Sequence, residues 1–353
     1  MARSIVIMAG GTGGHIFPAI AVADMLREQG WQVTWLGAPG SMEAELVPKH
    51  GYEMAMVRFS GLRGKGLLRK LMLPLNLLIA LWQSAAAMFR YRPDVVLGMG
   101  GYITFPGGLM AALLRRPLVI HEQNSIAGLS NKVLARFAQK VLSGFPNVLP
   151  NAIWCGNPVR SQIGMQELPA ARYAGRTGKL NVLVVGGSLG AKAINEALPQ
   201  ALAKMPEAVR PNVVHQTGKA HHASVQALYK EAGVTADIVP FIDDMAASYA
   251  KSDLVICRAG ALTVAELAAA GVASLLIPFP FAVDDHQTHN ARFLSGQGAA
   301  ILLPQPDLNA NRLAELLSGL NREKLTVMAQ QALSLARTNA AGAVADVCKE
   351  VAG

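Results

Sequence analysis

The sequence predicts an α/β protein in which two doubly wound parallel sheets follow one another along the chain. Three observations support this. Short β-rich apolar runs alternate with longer helical stretches, the pattern of strands joined by crossover helices. A strand–glycine–helix opening occurs twice, about half a chain apart. The 353 residues exceed one ordinary domain, and 52% are hydrophobic against 16% charged, which supplies apolar material for cores and argues against disorder. Sparse aromatics (6%) and 34 glycines suit helices seated closely on sheets. Two Rossmann-like domains are the economical reading.

In the first half, residues 4–9 form an apolar run that reads as a buried strand, followed by the glycines of 10–14 and a helix over about 18–29. Residues 32–36 read as the second strand; 95–97 and 118–121 continue the series. The unit restarts with a strand over 181–185, a turn at Gly186-Gly187-Ser188-Leu189-Gly190 and a helix over 191–203. Strands over 213–216, 237–240, 254–257 and 274–277 follow. Gly156-Asn157-Pro158 interrupts any regular pattern and marks the join, giving domains 1–157 and 158–338.

The three cysteines, Cys155, Cys257 and Cys348, lie far apart and form no C-x-x-C pair, so a reducing, cytoplasmic setting is expected. The apolar run at the amino end meets glycines at once, and reads as the first strand rather than a signal peptide. Net charge is +9, much of it in one segment. Between residues 54 and 93 there is no acid, but there are Arg58, Arg63, Lys65, Arg69, Lys70, Arg90 and Arg92. Residues 71–89 carry no charge, yet Pro74, Asn76, Gln83 and Ser84 argue against a bilayer span. Leu71, Leu75, Leu78 and Trp82 share one helical face behind Lys65, Arg69 and Lys70. This is the pattern of an amphipathic element lying on an anionic membrane surface; an ordinary buried helix is the alternative.

Several segments could carry chemistry. Gly10-Gly11-Thr12-Gly13-Gly14-His15 lies between a strand and a helix, where backbone N–H groups attract anions. It is neither a Walker loop nor a nicotinamide fingerprint, because the second strand ends in Leu36-Gly37 without a ribose-binding acid. The turn at Ser188 repeats the logic. In Arg258-Ala259-Gly260-Ala261-Leu262-Thr263-Val264-Ala265-Glu266 a buried strand opens a helix, offering amides to a pyrophosphate and a carboxylate to two ribose hydroxyls; helix-dipole complementation is the bland reading of Glu266. Asp284-Asp285-His286-Gln287-Thr288-His289-Asn290 matches no zinc spacing and reads as a polar strip for sugar hydroxyls, with no metal expected. Gly98-Met99-Gly100-Gly101-Tyr102 and His121-Glu122-Gln123-Asn124 each follow a strand end of the first domain, the edge at which open α/β sheets bind ligands.

Taken in order, GGTGGHIFP, SGLRGKG, VLGMGGY, HEQN, GNPVR, GGSLGA, FIDDM, CRAGALTVAE and DDHQTHN resemble, over essentially the whole chain, the MurG family of peptidoglycan glycosyltransferases, which make lipid II by adding N-acetylglucosamine to lipid I. The resemblance implies two Rossmann-like domains facing a central cleft, the GT-B arrangement, and a last helix over about 339–351 that crosses back onto the first domain. It implies UDP-N-acetylglucosamine as donor and lipid I as acceptor. No cofactor and no nucleic acid are implied; other cell-wall or division proteins would be further partners. The site would be the cytoplasmic face of the inner membrane, held peripherally. By the same resemblance Ile242 meets the uracil, Arg160 approaches the nucleotide, and Glu266 holds the ribose. Ser188 and the segment Ala261, Leu262, Thr263, Val264 and Ala265 serve the pyrophosphate side, and Gln287 contacts the sugar. Thr12, Gly13, Gly14 and Asn124 close on the donor from the first domain, and Tyr102 lies on the acceptor side. Phe105 departs from the family, which usually has a small residue there.

An α-linked donor and a β-linked product imply inversion by a single displacement, with a base near the attacking hydroxyl. His15 is the first candidate and Glu122 the second. An NAD-dependent oxidoreductase and a sugar-nucleotide epimerase share the architecture and are the competing enzyme classes. A nucleic-acid binder would need stacking aromatics among the basic residues, and the basic stretch has only Phe59, Trp82, Phe89 and Tyr91.

Overall fold

The computed structural model describes residues 2–59, 72–187 and 190–353. The chain divides into two compact units, Met1–Val159 with Thr338–Gly353, and Arg160–Arg337.

The first unit is built on β1 (Ser4–Met8), β2 (Gln32–Gly37), β3 (Glu53–Met56), β4 (Val95–Gly98), β5 (Leu118–Glu122), β6 (Lys140–Ser143) and β7 (Ile153–Trp154), all parallel, in the order β3-β2-β1-β4-β5-β6-β7. A strand covered by helices on both faces must be apolar on both, and β1 (SIVIM) is. Its Ile7 lies level with Trp35 on one neighbour and Leu97 on the other. Trp35 is wholly buried, and its Nε1 donates to the Ala9 carbonyl at 2.9 Å, tying β2 to the loop after β1. The chain direction across the sheet reverses between β1 and β4, which opens a crevice at their carboxyl ends.

Helices α1 (Gly13–Glu28), α2 (Met42–Leu46), α3 (Leu73–Tyr91), α4 (Thr104–Leu113) and α5 (Leu129–Leu134) belong to this unit. α1 begins five residues earlier than its glycines suggest. Ile16 is fully buried in the core, and that packing outweighs the poor helix propensity of Gly13 and Gly14. α3 turns Ala80, Ala87 and Met88 into the core, while Leu75, Leu78 and Trp82 are exposed on the other side. Leu71, Lys65, Arg69 and Lys70 lie outside the described residues. Among the described residues no helix is long and apolar enough to cross a membrane. The C-terminal helix, Ala340–Ala352, packs on α1 and places Val344, Ala345 and Cys348 in the same core as Ile5 and Ile7. Arg3 Nη2 donates to the Gly353 carbonyl at 2.6 Å, and Lys140 pairs with Glu350 at 2.9 Å.

The second unit has six parallel strands, β8 (Asn181–Val185), β9 (Asn212–Gln216), β10 (Asp237–Val239), β11 (Leu254–Cys257), β12 (Ala273–Leu276) and β13 (Ala300–Leu302), in the order β10-β9-β8-β11-β12-β13. Its helices are α6 (Ser161–Gly164), α7 (Pro169–Tyr173), α8 (Lys192–Lys204), α9 (His222–Glu231), α10 (Met245–Lys251), α11 (Ala261–Ala270), α12 (His286–Ser295), α13 (Ala310–Ser318) and α14 (Arg322–Ser334). At its amino edge the buried Asp253 carboxylate accepts from Arg176 (2.7 Å), Arg322 (3.1 Å) and the Asn181 N–H (2.8 Å). A buried charge so surrounded holds three segments in one arrangement, and losing any partner would leave it uncompensated. β3, β6, β7 and β13 were not among the expected strands.

Candidate active site

In the first unit the loops after β1, β4 and β5 meet at the carboxyl edge of the sheet. Met99 N–H donates to the Met8 carbonyl (2.7 Å), and the Thr104 hydroxyl donates to the Gly100 carbonyl (2.8 Å). Gly101, at φ 88°, has room only for a hydrogen, because a Cβ there would overlap the Gly10 carbonyl. Beneath the loop lies Glu43, fully buried, whose carboxylate accepts from Gly11 N–H (3.0 Å) and Ala38 N–H (3.2 Å). Thr12 is exposed at the start of α1 and its hydroxyl caps nothing. The first-turn amides of Gly13 and Gly14 therefore remain for an anion or water. His15 follows, half-buried, with Nδ1 2.8 Å from Gln123 Oε1. Tyr102 is half-buried beside Gly11, and burial, with the Glu43 charge, raises its phenol.

Glu122 has a different environment from that of a base. It is buried at the end of β5, and its oxygens accept from Asn124 N–H (2.9 Å), Gly128 N–H (3.0 Å) and Asn131 Nδ2 (2.9 Å). A carboxylate with its lone pairs so occupied clasps a loop and has little capacity left for a substrate proton. The Glu122–Asn124 contact also fixes the backbone at Asn124. In this arrangement Glu122 clasps the loop from Asn124 to Asn131.

In the second unit α11 starts directly after β11. Gly260, its N-cap, has no side chain to bond the first turn, so Ala261, Leu262 and Thr263 present amides at the carboxyl edge. Val264 instead is wholly buried and donates its N–H to the Gly260 carbonyl; it packs. Ala265, next along the helix, is half-buried. Glu266, one turn in, is buried and accepts from Arg160 Nη2 (3.1 Å) and the Tyr249 hydroxyl (3.2 Å). Burial raises its carboxyl above the ordinary range, and the Arg160 charge and the two hydrogen bonds oppose that rise. Burial and the Glu266 charge push the Tyr249 phenol well up, so it is a firm donor.

A cavity of about 240 Å³ lies between Arg160, Ile163, Asp244 and Met245. Ile242, next in sequence to the lining residue Asp243, lies in the loop after β10, where the Asp244 side chain caps α10 through Ala247 N–H (2.9 Å). A larger cavity, about 950 Å³, is at the amino ends of β8, β9 and β10, around Asn181, Asn212 and Asp237. It is remote from the carboxyl edge, where parallel sheets place ligands, and does not belong to the site.

Gln287 lies in the first turn of α12, and its Oε1 accepts from Ala259 N–H (3.2 Å) and Phe279 N–H (2.9 Å). Its amide NH2 is the group left to meet a ligand. Asp284 and Asp285 precede it with φ of 53° and 52°, a strained left-handed pair that sharpens the turn into α12. The polar strip bonds within itself, His286 Nδ1 to the Val283 carbonyl and Thr288 to Asp285, both 2.6 Å. Among the described residues no three His, Cys, Asp or Glu are grouped as metal ligands. Ser188 lies outside the described residues, but its neighbour Gly187 is gripped twice by Gln216: Oε1 accepts from its N–H (3.0 Å) and Nε2 donates to its carbonyl (2.9 Å). Gln216, Glu43 and Tyr249 were missed by sequence reasoning, and Gln123 was named only as part of the His121–Asn124 segment, with no role of its own. Each makes a contact distant in sequence: Gln216 to Gly187, Glu43 to Gly11, Tyr249 to Glu266 and Gln123 to His15. Arg258 also turns inward, donating to the Ile277 and Pro278 carbonyls and to Gln305.

Two parallel-sheet units, each with glycine turns and open helix amides at its carboxyl edge, define the class of nucleotide-binding proteins to which the GT-B glycosyltransferases belong. The glycosyltransferase family 28 N-terminal domain matches residues 5–143, and the family 28 C-terminal domain matches residues 181–347. The chain belongs to glycosyltransferase family 28. It is 61% identical over 350 residues to a UDP-N-acetylglucosamine–N-acetylmuramyl-(pentapeptide) pyrophosphoryl-undecaprenol N-acetylglucosamine transferase of Aromatoleum aromaticum, covering 99% of this chain and 98% of the relative. A protein of the same name from Cupriavidus metallidurans is 60% identical, covering 100% and 99%. The crystal structure of Acinetobacter baumannii MurG is similar at a TM-score of 0.89 and 43% identity, covering 99% of each chain.

Proposed function

We propose that this protein transfers N-acetylglucosamine from UDP-N-acetylglucosamine to the muramyl 4-hydroxyl of undecaprenyl-pyrophosphoryl-MurNAc-pentapeptide, giving lipid II. The near full-length likeness to transferases named for this reaction is the observation that carries the reading. The same likeness disfavours the epimerase alternative, and the chain's second strand lacks the acid that a nicotinamide enzyme uses.

In this reading the second unit takes the donor. The α11 amides of Ala261, Leu262 and Thr263 meet the pyrophosphate, Glu266 accepts from the ribose hydroxyls, Ile242 borders the base, and the Gln287 amide donates to the sugar. The first unit takes the acceptor, with Tyr102 on that side and Thr12, Gly13, Gly14 and Asn124 toward the donor phosphates. The acceptor hydroxyl attacks the anomeric carbon as the bond to the phosphate oxygen breaks. Its proton passes to His15, and UDP leaves with the bonding electron pair. Charge growing on the leaving group is met by helix amides, which are already oriented before the reaction. Glu122 holds Asn124 in place and leaves the proton to His15.

The protein would work at the cytoplasmic face of the inner membrane, with the exposed Leu75, Leu78 and Trp82 of α3 toward an anionic surface, for which the sequence also supplies the charges of Lys65, Arg69 and Lys70. The test is transfer of labelled N-acetylglucosamine to lipid I, with and without chelator. Labelled lipid II as product, unaffected by chelator, is expected; absence of transfer refutes the function, and loss with chelator refutes a mechanism resting on protein groups alone.

A further inference from the structure

Three side chains of the first unit stand in a row behind the start of α1. His15 Nδ1 is 2.8 Å from Gln123 Oε1, Gln123 Nε2 is 3.1 Å from His121 Nδ1, and His121 Nε2 is 2.8 Å from the Gly156 carbonyl. The direction of the hydrogens follows from fixed points in the row. A carbonyl only accepts, so His121 Nε2 carries a hydrogen toward Gly156. His121 is wholly buried, and burial pushes its imidazole down to about 4, so at neutral pH the ring is uncharged and Nδ1 is a bare acceptor. Gln123 therefore turns its NH2 toward His121. A second carbonyl gives the same answer independently, because Gln123 Nε2 is also 3.2 Å from the backbone oxygen of His121. The amide oxygen of Gln123 is left facing His15. Since that oxygen too only accepts, the hydrogen between them sits on His15 Nδ1.

We propose that Gln123 and His121 are positioning residues that hold His15 as its Nδ1–H tautomer, keeping the lone pair on Nε2 for the proton of the attacking hydroxyl. This deepens the reading of His15 as base and rests on it. When the proton arrives, the imidazolium keeps its Nδ1–H bond to Gln123, so the ring need not turn. The surroundings serve the same geometry. Gly100 has φ 90°, and a Cβ there would lie 2.6 Å from His15 Nδ1 and 2.9 Å from Gln123 Oε1. Asn157 Nδ2 donates to the Gln123 carbonyl at 3.0 Å and pins its backbone.

The test is long-range proton–nitrogen correlation on the whole protein labelled with ¹⁵N-histidine, under conditions where the ¹⁵N shifts themselves report a neutral ring, its signals assigned by their loss in His15→Asn. A protonated Nδ1 and bare Nε2 are expected in the parent protein. A predominantly Nε2–H ring overturns the proposal, and this arm is read on the parent protein, the His15→Asn variant serving only for assignment. In Gln123→Met, which keeps the length but neither accepts nor donates, the tautomer preference should be lost and kcat should fall at least about tenfold with donor KM retained. Unchanged kcat in that variant also overturns it. If His15→Ala kept full turnover while the parent tautomer was as stated, the base reading would fail and the hydrogen-bond row would stand, so the two failures are distinguishable.

Discussion

Exchanging Leu78 and Trp82 of α3 for glutamine tests the membrane reading without touching the core. Both side chains are largely exposed, 63% and 72%, and they are four residues apart on one face. Glutamine keeps helix propensity close to that of leucine. At about 25 cal/mol per Å², full transfer out of water would contribute about 2 kcal/mol for the leucine and about 5 kcal/mol for the tryptophan. Only the exposed share can gain from a membrane, and a helix lying in the headgroup zone is immersed on one side. The pair then supplies about 2–3 kcal/mol, or roughly 30- to 150-fold in partition. The assay is co-sedimentation with vesicles containing anionic lipid, with circular dichroism to confirm the fold. Much of the deficit should persist in high salt, because salt screens the basic residues and leaves the apolar term. Equal partition of parent and double variant would refute the reasoning.

His15→Ala should lower kcat by about 10²–10⁴-fold while UDP binding by calorimetry is retained; full turnover would remove His15 from the chemistry. Glu266 gives a pH prediction. Burial holds its carboxyl above the ordinary range, and only the ionised form accepts two ribose hydrogens, so UDP affinity should be complete above that raised value and decline as pH falls through it. Affinity that does not decline on acidification while the protein stays folded, or a decline that survives in Glu266→Gln, would contradict this. Glu43→Ala would strip the partner from the Gly11 and Ala38 N–H groups and should cost about 2–4 kcal/mol in urea unfolding, whereas a loss under about 1 kcal/mol would show that water replaces the carboxylate.

The parallel strands at the centre of each sheet were legible because strands buried on both faces are continuous apolar runs, as in SIVIM and LVIC. The strands that escaped are short or peripheral. β7 has two residues, and β3, with Glu53 in EMAM, alternates too weakly to be separated from a loop. The glycines before His15 read as a loop because intrinsic propensity is all a local window contains, and the burial of Ile16 that recruits them into α1 is tertiary. Ala261, Leu262 and Thr263 were readable as a strand-to-helix turn. Glu122 was not, since a carboxylate beside a strand end looks the same in sequence whether it meets substrate or clasps Gly128 and Asn131. Gln123 was named within its segment, but its role was not legible. Glutamine titrates with nothing, and its value lies in which end faces His15, 108 positions away.

The docking of the C-terminal helix has a consequence for biosynthesis. Val344, Ala345 and Cys348 fill space against strand β1, so the domain begun first is the last to be finished, after all of Arg160–Arg337 has left the ribosome. A nascent chain must carry an unroofed apolar patch through most of its translation, which makes early arrest or a stop codon near the end a hazard for the opposite terminus. A chain cut after Arg337 should accordingly be nicked by protease in its amino-terminal half, and resistance there would show that the roof is dispensable.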